Sequence, residues 1–125
     1  MSNVRFQYLY RDGSNYKKWG DVVFSNADDL SIESILKSLR GSFSNDGLFI
    51  AQQVRIPEVF LADEYPVSDD DHCFHEFSDV ESTTDAPNDP YGRSIREFIA
   101  EVAKESERGW SAFDPLTRLS ERSRR

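Results

Sequence analysis

Cysteine is almost absent from this sequence. Cys73 stands alone, so no internal disulfide can form, and the chain fits a reducing compartment. Long apolar runs are missing too. Nothing approaches the roughly 18 residues needed to cross a bilayer. The start, Met1-Ser-Asn-Val-Arg5, has no apolar signal-peptide stretch, and Ser2 rules out myristoylation. These features predict a soluble, cytoplasmic protein that needs no membrane. Glycine is sparse, at six residues, and neither the dinucleotide-binding nor the phosphate-loop pattern occurs. A serine nucleophile elbow is also missing. No cofactor is expected.

One kind of charge is missing locally. Between Ile56 and Gly92 there is no Lys or Arg, but there are eleven acids: Glu58, Asp63, Glu64, Asp69, Asp70, Asp71, Glu76, Asp79, Glu81, Asp85 and Asp89. The whole chain has 23 acids, 15 bases and a net charge of -8. Without this window, 12 acids face 15 bases, so the acidity is regional. A field of that kind steers basic partners and repels nucleic acid. Direct nucleic-acid binding is therefore not expected. One local exception is the interleaving of Arg5, Arg11, Lys17 and Lys18 with Tyr8, Tyr10, Tyr16 and Trp19, a pattern that can stack bases.

What is present argues for a folded domain. In a chain of 125 residues, nine Phe, five Tyr and two Trp offset a hydrophobic content of 38%. Val4, Phe6, Tyr8 and Tyr10 alternate with polar residues and predict a strand, with Leu9 out of phase. Turn residues Asp12-Gly13-Ser14-Asn15 lead to a second strand over about Lys18 to Phe24. Ser31 then reads as a helix N-cap, followed by an apolar stripe of Ile32, Ile35, Leu36 and Leu39, and Gly41 as a left-handed cap. This predicts a helix over 31–41.

Leu48 to Val54 reads as a third strand, with Val59 to Leu61 resuming it after Pro57. Ala62 to Asp71 reads as an acidic loop. Cys73 to Val80 reads as a fourth strand with His75 and Phe77 on one face and Phe74, Glu76 and Val80 on the other. Residues 81–91 read as loop or linker. Ser94-Ile-Arg-Glu97 is a capping box opening a second helix that Gly109 ends. The expected class is α+β: a small antiparallel or mixed four-stranded sheet with two helices, in the order ββαββα. A β-grasp-like arrangement shares this order up to the fourth strand. Residues 1–108 form the expected domain. Residues 109–125 form a tail, with Trp110, Phe113, Leu116 and Leu119 at every third position, a short helix after Asp114-Pro115, and a basic end at Arg122–Arg125.

His72, Cys73 and His75 lie within four residues and offer zinc-ligand chemistry, yet no second Cys/His pair completes a site. A Cys–His nucleophilic pair needs hydrogen-bond contact, and acidic surroundings would raise the thiol pKa. Asp69-Asp70-Asp71 lacks calcium-loop spacing. No catalytic set emerges. The expected function is a non-enzymatic interaction module. Its partner, another protein with a basic surface, would be held by Asp63, Glu64, Asp69, Asp70 and Asp71, by Trp110, Phe113 and Leu116, or by both. The first alternative is an inhibitor whose carboxylates imitate nucleic acid. The second is a small zinc protein or enzyme built on the His72/Cys73/His75 cluster. Homodimerisation is left open.

Overall fold

A computed structural model describes residues 2–44 and 46–118. Strands β1 (Asn3–Arg11) and β2 (Lys17–Phe24) form a hairpin, followed by α1 (Ile32–Ser42), β3 (Leu48–Phe49), a single 3-10 turn (Leu61–Asp63), β4 (His75–Thr83) and α2 (Ile95–Arg108). The strands are ordered β2-β1-β4-β3, and every pair is antiparallel. The expected α+β class and element order therefore hold, with a curled antiparallel sheet.

The alternation in β1 sets the layering. Val4, Phe6, Tyr8 and Tyr10 all point to one face and are fully buried. On that face Val4, Phe6 and Tyr8 meet Ile35 and Leu39 of α1 and Ile95, Phe98 and Val102 of α2. Phe6 sits at the centre, its ring 5.1 Å from Phe98 and 5.4 Å from Phe77. Aromatic contacts of this kind add about 0.5–1.5 kcal/mol each beyond area burial. Both helices cover this one face, which makes a two-layer domain. Ser31 and Ser94 cap the helices as predicted, and Ser94 with Glu97 closes a reciprocal capping box. Gly109 ends α2 at φ 96°. Gly41, however, lies inside α1 and not beyond it. The helix runs on to Ser42, and extended Phe43 caps it by donating its N–H to the Leu39 carbonyl.

Three strand expectations need correction. The run Leu48–Val54 forms only a two-residue strand. Residues 51–55 are turns that bury Ala51 and Val54, and Arg55 takes a positive φ of 58°. Val59 to Leu61 does not resume a strand, because the chain enters the 3-10 turn at Leu61. β4 starts at His75 and extends to Thr83. Its register with β1 slips between Tyr8–Phe77 and Gln7–Asp79, so Ser78 is an extra residue in β4. This bulge moves Val80 onto the face of His75 and Phe77, opposite Phe6 and not on the outer face.

Beyond β4, residues 84–91 form a largely exposed strap that is tied down by hydrogen bonds and by the buried Asp89. The Asn88 side-chain oxygen accepts from the Val23 N–H at 2.8 Å, and the Asn88 backbone N–H donates to the Val23 carbonyl at 2.9 Å. Next comes Arg93, only 6% exposed. Its guanidinium forks onto Asp89 with two bonds of 2.9 Å and donates to the carbonyls of Val54 at 2.7 Å and Arg55 at 2.9 Å. It also binds Glu101, which in turn holds Arg55 at 2.7 Å. The Arg93 guanidinium lies over the rings of Phe98 and Tyr91. One side chain thus ties together the strap, the 51–55 turns and α2. Burial works against charge on both Asp89 and Glu101. The arginine hydrogen bonds outweigh it and hold both carboxyls below their ordinary range.

The tail folds back on the domain. Gln53 donates to the Gly109 carbonyl at 3.2 Å and accepts from the Ser111 N–H at 2.7 Å. Trp110 packs against the main core, and Phe113 meets Phe60 edge-on at 6.2 Å. Asp114 opens a short helical turn over 115–118, accepting from the Leu116 N–H at 2.9 Å. Leu119 and Arg122–Arg125 lie outside the described residues.

Candidate functional site

Folding undoes the charge segregation of the sequence. Arg5 pairs with Glu81 at 2.9 Å and also with Asp85, and Arg11 pairs with Glu76 at 3.2 Å. Lys18 reaches Asp63 at 3.3 Å and Glu64 at 3.5 Å, Arg93 holds Asp89, and Arg118 holds Glu58. Seven of the eleven window acids are therefore paired with bases from the two flanks. Apart from the buried Arg93–Asp89 pair, these partly exposed pairs contribute only about 0–1 kcal/mol each, so their main effect is to cancel the field. Among the described residues, the window acids outside such pairs are Asp79 and the consecutive Asp69, Asp70 and Asp71. Three of these four window carboxylates stand together on one loop.

That loop faces the tip of the β1–β2 hairpin. The tip is built by Asp12, whose carboxylate accepts the N–H groups of Ser14 at 3.0 Å and Tyr16 at 2.9 Å. The Gly13 N–H donates to the Asp70 carbonyl at 2.8 Å, and the Ser14 hydroxyl donates to the Asp70 carboxylate at 2.6 Å. Deeper in, the buried Tyr10 hydroxyl donates to Asp71 at 2.6 Å and accepts from the His72 N–H at 3.0 Å. Burial, and then the bond to Asp71, push the Tyr10 phenol above its ordinary range. Lys18 closes the other end through Asp63 and Glu64.

Between these clamps lies a cleft of about 550 Å³, whose lining includes Tyr16, Lys17, Leu61, Tyr65, Asp70 and Asp71. Tyr16 is 69% exposed and Tyr65 60% exposed. Two large rings held in water beside surplus carboxylates are a feature the core does not need. A loop tyrosine gives no periodic signal, so sequence reasoning singles out the acids but misses Tyr65 as a site residue. Tyr16 enters that reasoning only for base stacking.

The other sequence-predicted groups lie elsewhere. The His72 ring is held at both nitrogens: Nε2 bonds the Arg11 carbonyl at 2.6 Å and Nδ1 accepts from the Phe74 N–H at 3.0 Å. His75 is buried, and its Nε2 accepts from the Val59 N–H at 3.0 Å. Cys73 is buried and forms no disulfide. A metal would have to displace these backbone bonds, and no group of three or more metal-binding side chains occurs among the described residues. The base-stacking pattern also comes apart. Tyr8 and Tyr10 are in the core, while Arg5 and Arg11 are tied to carboxylates on the opposite face. Trp110 and Phe113 are half-buried against the domain, and Leu116 alone of the three tail residues is exposed. No described helix is long and apolar enough to cross a membrane.

These features define a small two-layer α+β domain with an aromatic-flanked acidic cleft at one end of its sheet. Compared with protein-family models, curated proteins and solved structures, the chain matches none.

Proposed function

We propose that the protein is a non-catalytic binding module that holds another protein in the cleft between the hairpin tip and the 61–71 loop. The observation that carries this reading is the pair of solvent-facing tyrosines, Tyr16 and Tyr65, flanking a cleft lined by Asp70 and Asp71, with Asp69 next to them in the chain. Exposed tyrosines give large contact area at low entropic cost and are enriched at interfaces. The surplus carboxylates suit a Lys or Arg side chain of the partner. Asp63 and Glu64 position Lys18 at the cleft wall. Trp110 and Phe113 are taken up by packing within the chain, which favours the cleft over the tail as the docking surface. The ion pairing leaves only a few described carboxylates of the window without a base, which favours a protein partner over imitation of nucleic acid. A lone, buried cysteine is compatible with a cytoplasmic setting.

The test is capture from nuclease-treated native lysate over a salt series, comparing wild type with Tyr16→Ala/Tyr65→Ala and with Asp69→Asn/Asp70→Asn. Both variants should lose the partner while keeping the wild-type circular dichroism spectrum. Unchanged capture by both would rule out the cleft. Release of the partner by added DNA would point to nucleic-acid imitation instead.

A further inference from the structure

β2 is an edge strand, and its outer edge is divided in two. Val23 gives its N–H and carbonyl to Asn88, and the Ser25 carbonyl accepts from Ile95 at 2.8 Å, so the C-terminal part is sealed by the strap and α2. Because Val23 directs its backbone groups away from β1, the antiparallel alternation directs those of Asp21, Trp19 and Lys17 away too. No described group bonds them there. The open stretch Lys17–Asp21 is centred on Trp19. The side chains of Lys17, Trp19 and Asp21 share the sheet face that carries no helix, and Trp19 is 60% exposed.

We propose that this open edge pairs with the same edge of a second copy of the chain. Antiparallel pairing about a twofold axis at Trp19 sets Trp19 against its symmetry mate. It also sets Lys17 against Asp21 of the other copy, twice. Each opposed pair exchanges both backbone bonds, and the edge is complementary to itself in charge and length. Opposite charges and aromatics directly across a strand pair are both favourable. Asp21 lies 3.3 Å from Arg5, but Arg5 keeps Glu81 and Asp85 when Asp21 turns to the new lysine. The register stops where Asn88 seals Val23, so the pairing cannot slide toward the strand's end.

Charge reversal tests this directly. Analytical ultracentrifugation of the full chain should show a concentration-dependent dimer. Lys17→Glu alone and Asp21→Lys alone should each weaken it at least about tenfold, because both cross-pairs become repulsive. Mixing the two variants should restore it. In the mixed dimer the introduced glutamate of one copy faces the introduced lysine of the other, and the unchanged Asp21 faces the unchanged Lys17. The mixture also serves as a folding control. A wild-type chain that stays monomeric at about millimolar concentration would overturn the proposal, as would a dimer indifferent to the reversals. A mixture that remains monomeric would do so as well.

Discussion

Arg93→Ala is the substitution with the largest expected effect on folding. It removes the only described base on Asp89, whose side chain is nearly inaccessible to water, and it leaves the carbonyls of Val54 and Arg55 without their donor. Breaking a buried ion pair from one side costs about 3–5 kcal/mol, because the remaining charge stays desolvated. Domains are stable by roughly 5–15 kcal/mol, so much of that margin would go. Unfolding entropy near roughly 2.1 cal/mol/K per residue converts a loss of about 4 kcal/mol into a Tm decrease of roughly 15 °C for a chain of this length. Urea titration followed by far-ultraviolet circular dichroism measures the loss. The matched variant Asp89→Asn/Arg93→Met keeps volume without leaving a lone charge, and it should recover part of the stability. A cost under about 1 kcal/mol for Arg93→Ala would refute the idea that this guanidinium locks the strap to the core.

Two further outcomes follow from the same geometry. A Cβ on Gly20 would lie 2.9 Å from both the Tyr8 ring and Val59, so Gly20→Ala should cost about 1–3 kcal/mol by overpacking, read as a lower urea midpoint with an unchanged slope. Acid should also destabilise the fold. Asp89 and Glu101 have pKa values below their ordinary 3.8 and 4.5 in the folded chain, so the stability they confer is complete above those values and is lost as pH falls through the lower folded ones. A Tm that stays flat from about pH 6 to about pH 2 would contradict that assignment.

Much of the fold is legible in the sequence where a period is long and its caps are explicit. The Val4–Tyr10 alternation and the Ser94–Glu97 box each state one structure, and that structure forms. Legibility ends where a distant residue decides. The apolar run after Phe49 has strand composition, yet its carbonyls are claimed by Arg93, which holds the chain in turns. A single inserted residue at Ser78 reverses the facing of Val80, and nothing in its neighbours announces a bulge. The acidic window is the clearest case at the site. Composition correctly locates the negative charge along the chain but cannot show that Arg5, Arg11, Lys18, Arg93 and Arg118 return to meet it. Asp69 to Asp71 are picked out with Asp63 and Glu64 in the sequence, and only the pairings separate the two groups. Tyr65 sits in a stretch with no periodicity and becomes visible only through its exposure.

The sheet order has a consequence for how the chain is made. β1 is synthesised before the other strands yet takes an interior place, and its second neighbour, β4, is encoded more than sixty residues later. The aromatic row of Phe6, Tyr8 and Tyr10 leaves the ribosome well ahead of Phe98, the residue that covers Phe6. The nascent chain therefore carries an aromatic sheet face whose covering by α1 is completed only when α2 emerges. During that interval the densely acidic stretch follows it out. Of the bases that pair with it, Arg5, Arg11 and Lys18 are already made, and only Arg93 and Arg118 have still to follow.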